Sequence, residues 1–292
     1  MKQTKETAFS SRGWKTAIVS ALSGVGAVYL SLAMILLFFQ ERLIFRPTIL
    51  EPDSKYGFNE PFEERWIELD GQRVDSLLFR APAPKGSVLF FHGNAGSLDD
   101  WGMVASEIAK RTSWNVWIID YPGYGRSQGQ IRSEDQLHRL GSELLRVARQ
   151  ELGPDENIVV YGRSIGSGIA VKLAAENQVA GLILESPYLS LEKLAAELFP
   201  WVPTFLIRYK FPSNLWIWNV KSPVLIVHGE RDEVIPFKHG KMLADESASS
   251  QLRFVPIANG HHNDLSRFDT YWHSLKTFLD EIGLSKRTDG IK

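Results

Sequence analysis

The chain of 292 residues contains no cysteine. Disulfide staples, a thiol nucleophile and thiolate metal sites are therefore excluded, and oxidising and reducing compartments are equally admissible. An excess of charge of one sign is also missing, since 33 Lys and Arg stand against 34 Asp and Glu for a formal net charge of -1. With no basic surface to neutralise phosphates, nucleic acid is not expected as a partner. Internal repeats and low-complexity tracts are lacking too, which removes solenoids and disordered arrays. What is present is apolar residues at 44% of the chain, enough for one large core plus an appendage.

Charge is also absent locally. Residues 16–39, TAIVSALSGVGAVYLSLAMILLFF, carry none. As a helix they would extend about 36 Å, enough to cross a hydrocarbon core of about 30 Å, and they are read as a transmembrane anchor. Lys2, Lys5, Arg12 and Lys15 precede the run against only Glu6. The positive-inside rule then keeps residues 1–15 cytoplasmic and sends the main domain to the periplasmic, lumenal or extracellular side. A cleaved signal peptide and a buried core helix compete with this reading. Ser31-Leu32-Ala33 resembles a small-x-small cleavage site, but MILLFF follows it and the run exceeds a signal h-region. Residues 40–64, beginning QERLIFRPT, read as a juxtamembrane connector with Arg42 and Arg46 at head-group level.

The main domain is expected over residues 65–284, with a short tail at 285–292. RWIEL and RVDSLLF flank Asp70-Gly71, a hairpin signal, so the first two strands should be antiparallel. SVLFFHG, WNVWIIDY, NIVVYG, AGLILES, PVLIVHG and LRFVPIA follow, several apolar almost throughout, as strands buried on both faces must be. Helical stretches at roughly 98–111, 134–151, 165–176, 237–247 and 266–282 alternate with them. This pattern predicts an α/β fold with a mostly parallel sheet of eight strands flanked by helices. Residues 187–219, between the sixth and seventh strands, exceed an ordinary crossover and read as a small cap.

Gly162-Arg163-Ser164-Ile165-Gly166 fits G-x-S-x-G and lies between a predicted strand and a predicted helix. There the motif has a mechanical meaning: the corner residue is forced into a strained backbone, and the glycines let neighbouring segments approach. A serine hydroxyl so presented needs a base to take its proton and an acid to orient that base. The seventh strand ends in Glu230, Asp232 and Glu233, and the eighth in His261 and His262, the order Ser, acid, His. Glu185 at the end of the sixth strand is a further candidate acid. One oxyanion donor is expected on the backbone of Ile165, after the serine, and another in the FFHGNAGS loop, at Asn94 with Ala95 as the neighbouring choice. His92 reads as a loop brace, and Tyr121 to Gly125 as a tight turn at the edge of the site. His261 and His262 lack helical i, i+4 spacing, so no metal site is expected.

FFHGNAGS, DYPGYGRSQG, YGRSIGSGIA, HGERDEVIPF and GHHNDL, in this order, resemble the BEM46-like α/β-hydrolases, relatives of the ABHD13 and ABHD17 hydrolases. The resemblance runs from about residue 40 to 282. It implies an α/β-hydrolase fold, a membrane attachment and a serine hydrolase acting on esters or thioesters. It places the acid on Asp232, in G-x-x-D-x-V-I-P, and the base on His262, in H-N-D.

The resulting expectation is a catalytic Ser164, His262 and Asp232, with Asn94 and Ile165 as oxyanion donors and no metal or organic cofactor. Substrate-binding residues are not assigned, and lipids or acylated proteins at the bilayer are the expected substrates. Amidase or acyltransferase chemistry with the same residues, or a non-catalytic binding protein on this fold, are the alternatives. The aromatic-rich FPWVPTFLIRYKFPSNLWIW in the cap suits an acyl-chain wall, a bilayer belt or plain core packing.

Overall fold

Asp70 and Gly71 take φ angles of 52° and 73°, the pair of left-handed residues that a two-residue type I′ turn requires. In the computed structural model, which describes residues 11–289, this turn joins strand β1 (Phe62–Leu69) to the antiparallel β2 (Gln72–Phe79). Then come β3 (Ser87–Phe91), β4 (Asn115–Ile119), β5 (Ile158–Arg163), β6 (Gly181–Glu185), β7 (Val224–Gly229) and β8 (Leu252–Ile257). They form one eight-stranded sheet in the order β8-β7-β6-β5-β3-β4-β2-β1. All neighbours are parallel except β1–β2 and β2–β4. Lys2, Lys5 and Glu6 lie outside the described residues, as does the end of the expected 285–292 tail.

Residues in β3, β4 and β6 are buried throughout, because helices cover both sheet faces. Leu89, Phe91 and Val160 pack with Leu140, Leu144 and Ile169 from α3 (Glu134–Leu152) and α4 (Gly166–Glu176). Val88, Phe90 and Tyr161 point the other way, toward Ala105 and Ile108 of α2 (Leu98–Thr112) and Leu275 and Phe278 of the last helix, Asp269–Asp289. The period of two along each strand thus sorts its side chains between two core layers. Local chemistry starts the helices where the sequence allows: Ser97 and Asp100 close a capping box on α2, and Ser133 accepts from the Gln136 N–H on α3.

Helix α1 runs Ser11–Ile44, beyond both ends of the expected 16–39, and its path breaks at Phe39 (φ −117°, ψ 17°). The break falls where the uncharged run ends; the extra turn, Gln40 to Ile44, is held by tertiary contacts. Gln40 donates to the Leu206 carbonyl (2.6 Å) and accepts from the Arg208 N–H (2.8 Å), while Tyr209 donates to Glu41 (2.9 Å). Trp14–Ile44 is long and apolar enough to cross a membrane.

The connector departs further from expectation, because residues 40–64 are built into the domain and do not merely tether it. Arg46–Pro47 pair in parallel with Ala95–Gly96, and Ile49 bridges Gly125. Tyr56 is buried and donates to Asp75 at 2.8 Å, and β1 begins at Phe62, ahead of the expected boundary at 65.

The segment between β6 and β7 contains α5 (Leu191–Leu198), a 3₁₀ turn (Thr204–Leu206) and the short α6 (Ser213–Ile217). Its aromatics divide by position. Tyr209 and Phe211 are core, whereas Phe199, Trp201, Phe205 and Trp218 are exposed.

Candidate active site

Strand β5 turns into α4 at Ser164, whose φ of 53° is in the left-handed region that non-glycine residues rarely adopt. The corner closes only because its flanks carry no side chains. A Cβ on Gly166 would lie 2.2 Å from the Phe91 carbonyl oxygen, and one on Gly162 2.6 Å from the Ala170 Cβ. Ser164 is thereby held at the carboxyl edge of the sheet, its hydroxyl beside the start of α4.

Two loops from later strands meet it there. His262, beyond β8, has Nε2 3.1 Å from Ser164 Oγ and Nδ1 2.8 Å from Asp232 Oδ2. Asp232, in the turn after β7, accepts on its other oxygen from the Val234 and Ile235 N–H groups at 3.0 and 2.8 Å. Burial alone would raise the Asp232 pKa, but His228, His262 and the Ile235 N–H outweigh it and hold the carboxyl well below the usual carboxylate range. The aspartate is therefore an anion that fixes the imidazole on its Nδ1 side and leaves Nε2 facing the serine.

The competing candidates lie elsewhere. His261 pairs through Nδ1 with Glu233 (3.0 Å), both side chains being exposed, and Glu230 is exposed as well. Glu185 is buried and bound to Arg163 (3.2 Å), Tyr271 (3.1 Å) and Tyr161. From this cluster Arg163 donates to the His262 carbonyl and the Asn263 side chain, each at 3.2 Å. The two variable positions of G-x-S-x-G thus hold one proposed donor, Ile165, and a guanidinium that braces the histidine loop. No periodicity or spacing pointed to Arg163, because its partners are distant in the chain.

Asn94 sits in the loop after β3, where its carbonyl accepts from the Arg46 N–H (2.9 Å) and the Tyr124 hydroxyl (2.7 Å). Among the described residues, neither the Asn94 nor the Ile165 N–H donates a hydrogen bond within the fold. His92 is buried, with Nδ1 2.7 Å from the Gly93 oxygen and Nε2 3.2 Å from Asp120, in keeping with a brace. Tyr121 adds a bond from its hydroxyl to the His92 carbonyl (2.6 Å), so the YPGYG turn supports the loop through two tyrosines. Trp101 closes the edge, donating to the Ala95 carbonyl at 2.7 Å.

A serine on a strand-to-helix corner, facing a histidine and an aspartate from later strand ends on a sheet of this order, defines the α/β-hydrolase class. The family model described as alpha/beta hydrolase fold matches residues 86–215. Human alpha/beta hydrolase domain-containing protein 17B is 32% identical over 212 residues, covering 72% of each chain. Protein bem46 of Schizosaccharomyces pombe is 29% identical over 288 residues, 91% of this chain and 95% of its own. In fold, the Pyrococcus furiosus esterase Pf2001 superposes with a TM-score of 0.64 at 15% identity, over 82% of this chain and 96% of its own. The chain belongs to the α/β-hydrolase family and is similar to bem46 and the 17B proteins.

Proposed function

We propose that the protein is a membrane-anchored serine hydrolase of carboxylic esters or thioesters. The observation that carries this reading is the continuous hydrogen-bonded chain from Asp232 through His262 to Ser164 Oγ. In the reaction, Ser164 Oγ attacks the acyl carbon as its proton passes to His262 Nε2. The oxyanion forms toward the N–H groups of Asn94 and Ile165, and Asp232 stabilises the imidazolium. Collapse breaks the bond to the alcohol or thiol, which leaves with the proton from His262. Water, deprotonated by the same imidazole, then attacks the acyl-serine and releases the acid and the free hydroxyl. No step of this scheme calls on a metal ion or an organic cofactor.

The helix Trp14–Ile44 is the anchor in this reading, with the N-terminus cytoplasmic and the catalytic domain on the opposite side. Substrate therefore comes from the bilayer or its surface, as a lipid or an acylated protein. The esterase among the structural relatives supports ester chemistry.

The reading is tested by labelling the purified protein with a fluorophosphonate probe beside Ser164→Ala and His262→Ala. Labelling of the parent and of neither variant is expected, followed by turnover of acyl esters or thioesters and little on matched anilides. A folded parent that does not label would overturn it.

A further inference from the structure

Beneath the point where α1 leaves the apolar run lies a cavity of about 670 Å³, lined among others by Phe38, Phe39, Arg42, Tyr124, Arg132 and Arg208. We infer that it binds the phosphate of an anionic phospholipid among Arg42, Arg132 and Arg208, with the acyl chains lying along Phe38 and Phe39. The inference rests on the anchor reading of α1.

The position along the helix sets the level. No charged residue falls between Lys15 and Glu41, and the apolar run ends at Phe39, before Gln40. The cavity therefore begins where hydrocarbon gives way to head groups. The cap touches the same helix nearer its N-terminus: Tyr29 donates to the Trp201 carbonyl at 3.3 Å. Tyr29 precedes Gln40, which bonds the same cap, by roughly 16 Å of helical rise. With α1 across a bilayer, the cap edge lies within the leaflet and the domain cannot stand clear of the surface. Exposed Phe199, Trp201 and Phe205 on that edge suit such a setting.

Charge selects the head group. Glu41 is the acid in the lining, and it is already engaged by Arg208 and by the Tyr209 hydroxyl. Arg42 and Arg132 have no ion pair among the described residues; the guanidinium of Arg42 lies over the Phe39 ring, 5.6 Å from its centroid. Two uncompensated guanidiniums at the phosphate level match an anionic head group, which each can bind through paired N–H donors. Phe38 and Phe39, 65% and 46% exposed, continue the apolar surface of the span, so tails have a wall beside the charged site. A soluble phosphate would use the guanidiniums but leave that wall unused.

The test uses the full-length chain in nanodiscs of equal phosphatidylcholine and phosphatidylglycerol, with retained lipid counted after extraction into mild detergent. Phosphatidylglycerol should be enriched on the parent, and Arg42→Gln with Arg132→Gln should cut the enrichment about tenfold or more. The corresponding double lysine variant should keep most of it, and thermal midpoints confirm that each variant is folded. Enrichment should survive an excess of inorganic phosphate. Its loss to inorganic phosphate would assign the cavity to a soluble anion and overturn the lipid, as would equal retention by the parent and the glutamine variant. A chain that leaves the discs altogether would instead refute the anchor, an outcome read separately from probe labelling of Ser164.

Discussion

The side-chain amide of Asn94 donates to the main-chain carbonyl of Ile44 at 3.1 Å. This bond fastens the loop carrying the proposed oxyanion donor to the last residue of α1. Two further bonds continue the seam, from the Arg46 N–H to the Asn94 carbonyl (2.9 Å) and from the Thr48 N–H to the Gly96 carbonyl (2.8 Å). The connector is thus a structural part of the site. Asn94→Ala keeps the backbone N–H but loses the side-chain tie. It should lower kcat on a soluble aryl ester about tenfold with KM within about twofold, since a displaced donor weakens transition-state binding more than substrate binding. A larger change in KM than in kcat would argue against a positioning role.

His261 and His262 are neighbours in sequence with opposite fates. Only His262 reaches Ser164, while His261 pairs with the exposed Glu233. His262→Ala should reduce turnover by about 10³-fold or more, and His261→Ala by no more than about twofold. Steady-state rates on the same ester check both, and a reversed pattern would move the base to His261.

Gly166→Ala places a Cβ 2.2 Å from the Phe91 carbonyl, a backbone atom that cannot step aside. The elbow must open or β3 must shift. A loss of about 1–3 kcal/mol in urea unfolding is expected, with probe labelling reduced further than stability accounts for. Wild-type stability in this variant would mean that the corner is looser than its packing implies.

The pKa of Asp232 is depressed in the folded protein, so its contribution to stability is present above the unfolded carboxyl value and is lost as pH falls toward the folded value. The difference in stability between the parent and Asp232→Asn should therefore be widest near neutral pH and shrink below about pH 4. Thermal midpoints of both proteins across acid pH measure it. A gap that widens on acidification contradicts the assignment. Activity should show no acid limb from Asp232 in the ordinary carboxylate range, because its carboxyl is held well below that range.

Glu185→Gln removes the charge that neutralises Arg163 in a buried cluster with Tyr161 and Tyr271. An uncompensated buried guanidinium costs about 3–5 kcal/mol, and its ties to His262 and Asn263 should loosen with it. Unfolding midpoints should fall accordingly. Replacing both partners together, as Arg163→Met with Glu185→Leu, should recover much of the stability but not the rate.

Much of this architecture was legible from local pattern. The eight main strands and the helices following them appear where apolar runs and 3.6-residue periodicity predict, because burial on two faces imposes a composition that a short window already contains. Gly162 and Gly166 mark the corner for the same reason: a close backbone approach admits no side chain. Arg163 gave no such signal, and the YPGYG turn signalled its place at the site edge but not the bonds of Tyr121 and Tyr124. Their roles arise from bonds to loops far along the chain, and a residue that braces another segment looks locally like any surface or turn residue.

The sequence by itself determined the uncharged 16–39 run, the alternating α/β order, the glycine-flanked serine and the shortlist of acids and histidines, all properties of neighbouring residues. The residue types alone left that shortlist open and the family resemblance favoured His262 and Asp232; the tertiary structure supplies the geometry, bringing these two to Ser164 while sending His261 to Glu233 and Glu185 to Arg163. It also turned the 40–64 connector from a tether into a strand seam along the Asn94 loop. The physical reason is common to both: hydrogen bonds act over about 3 Å in space, and which groups come that close depends on how the sheet orders its strands rather than on their order in the chain.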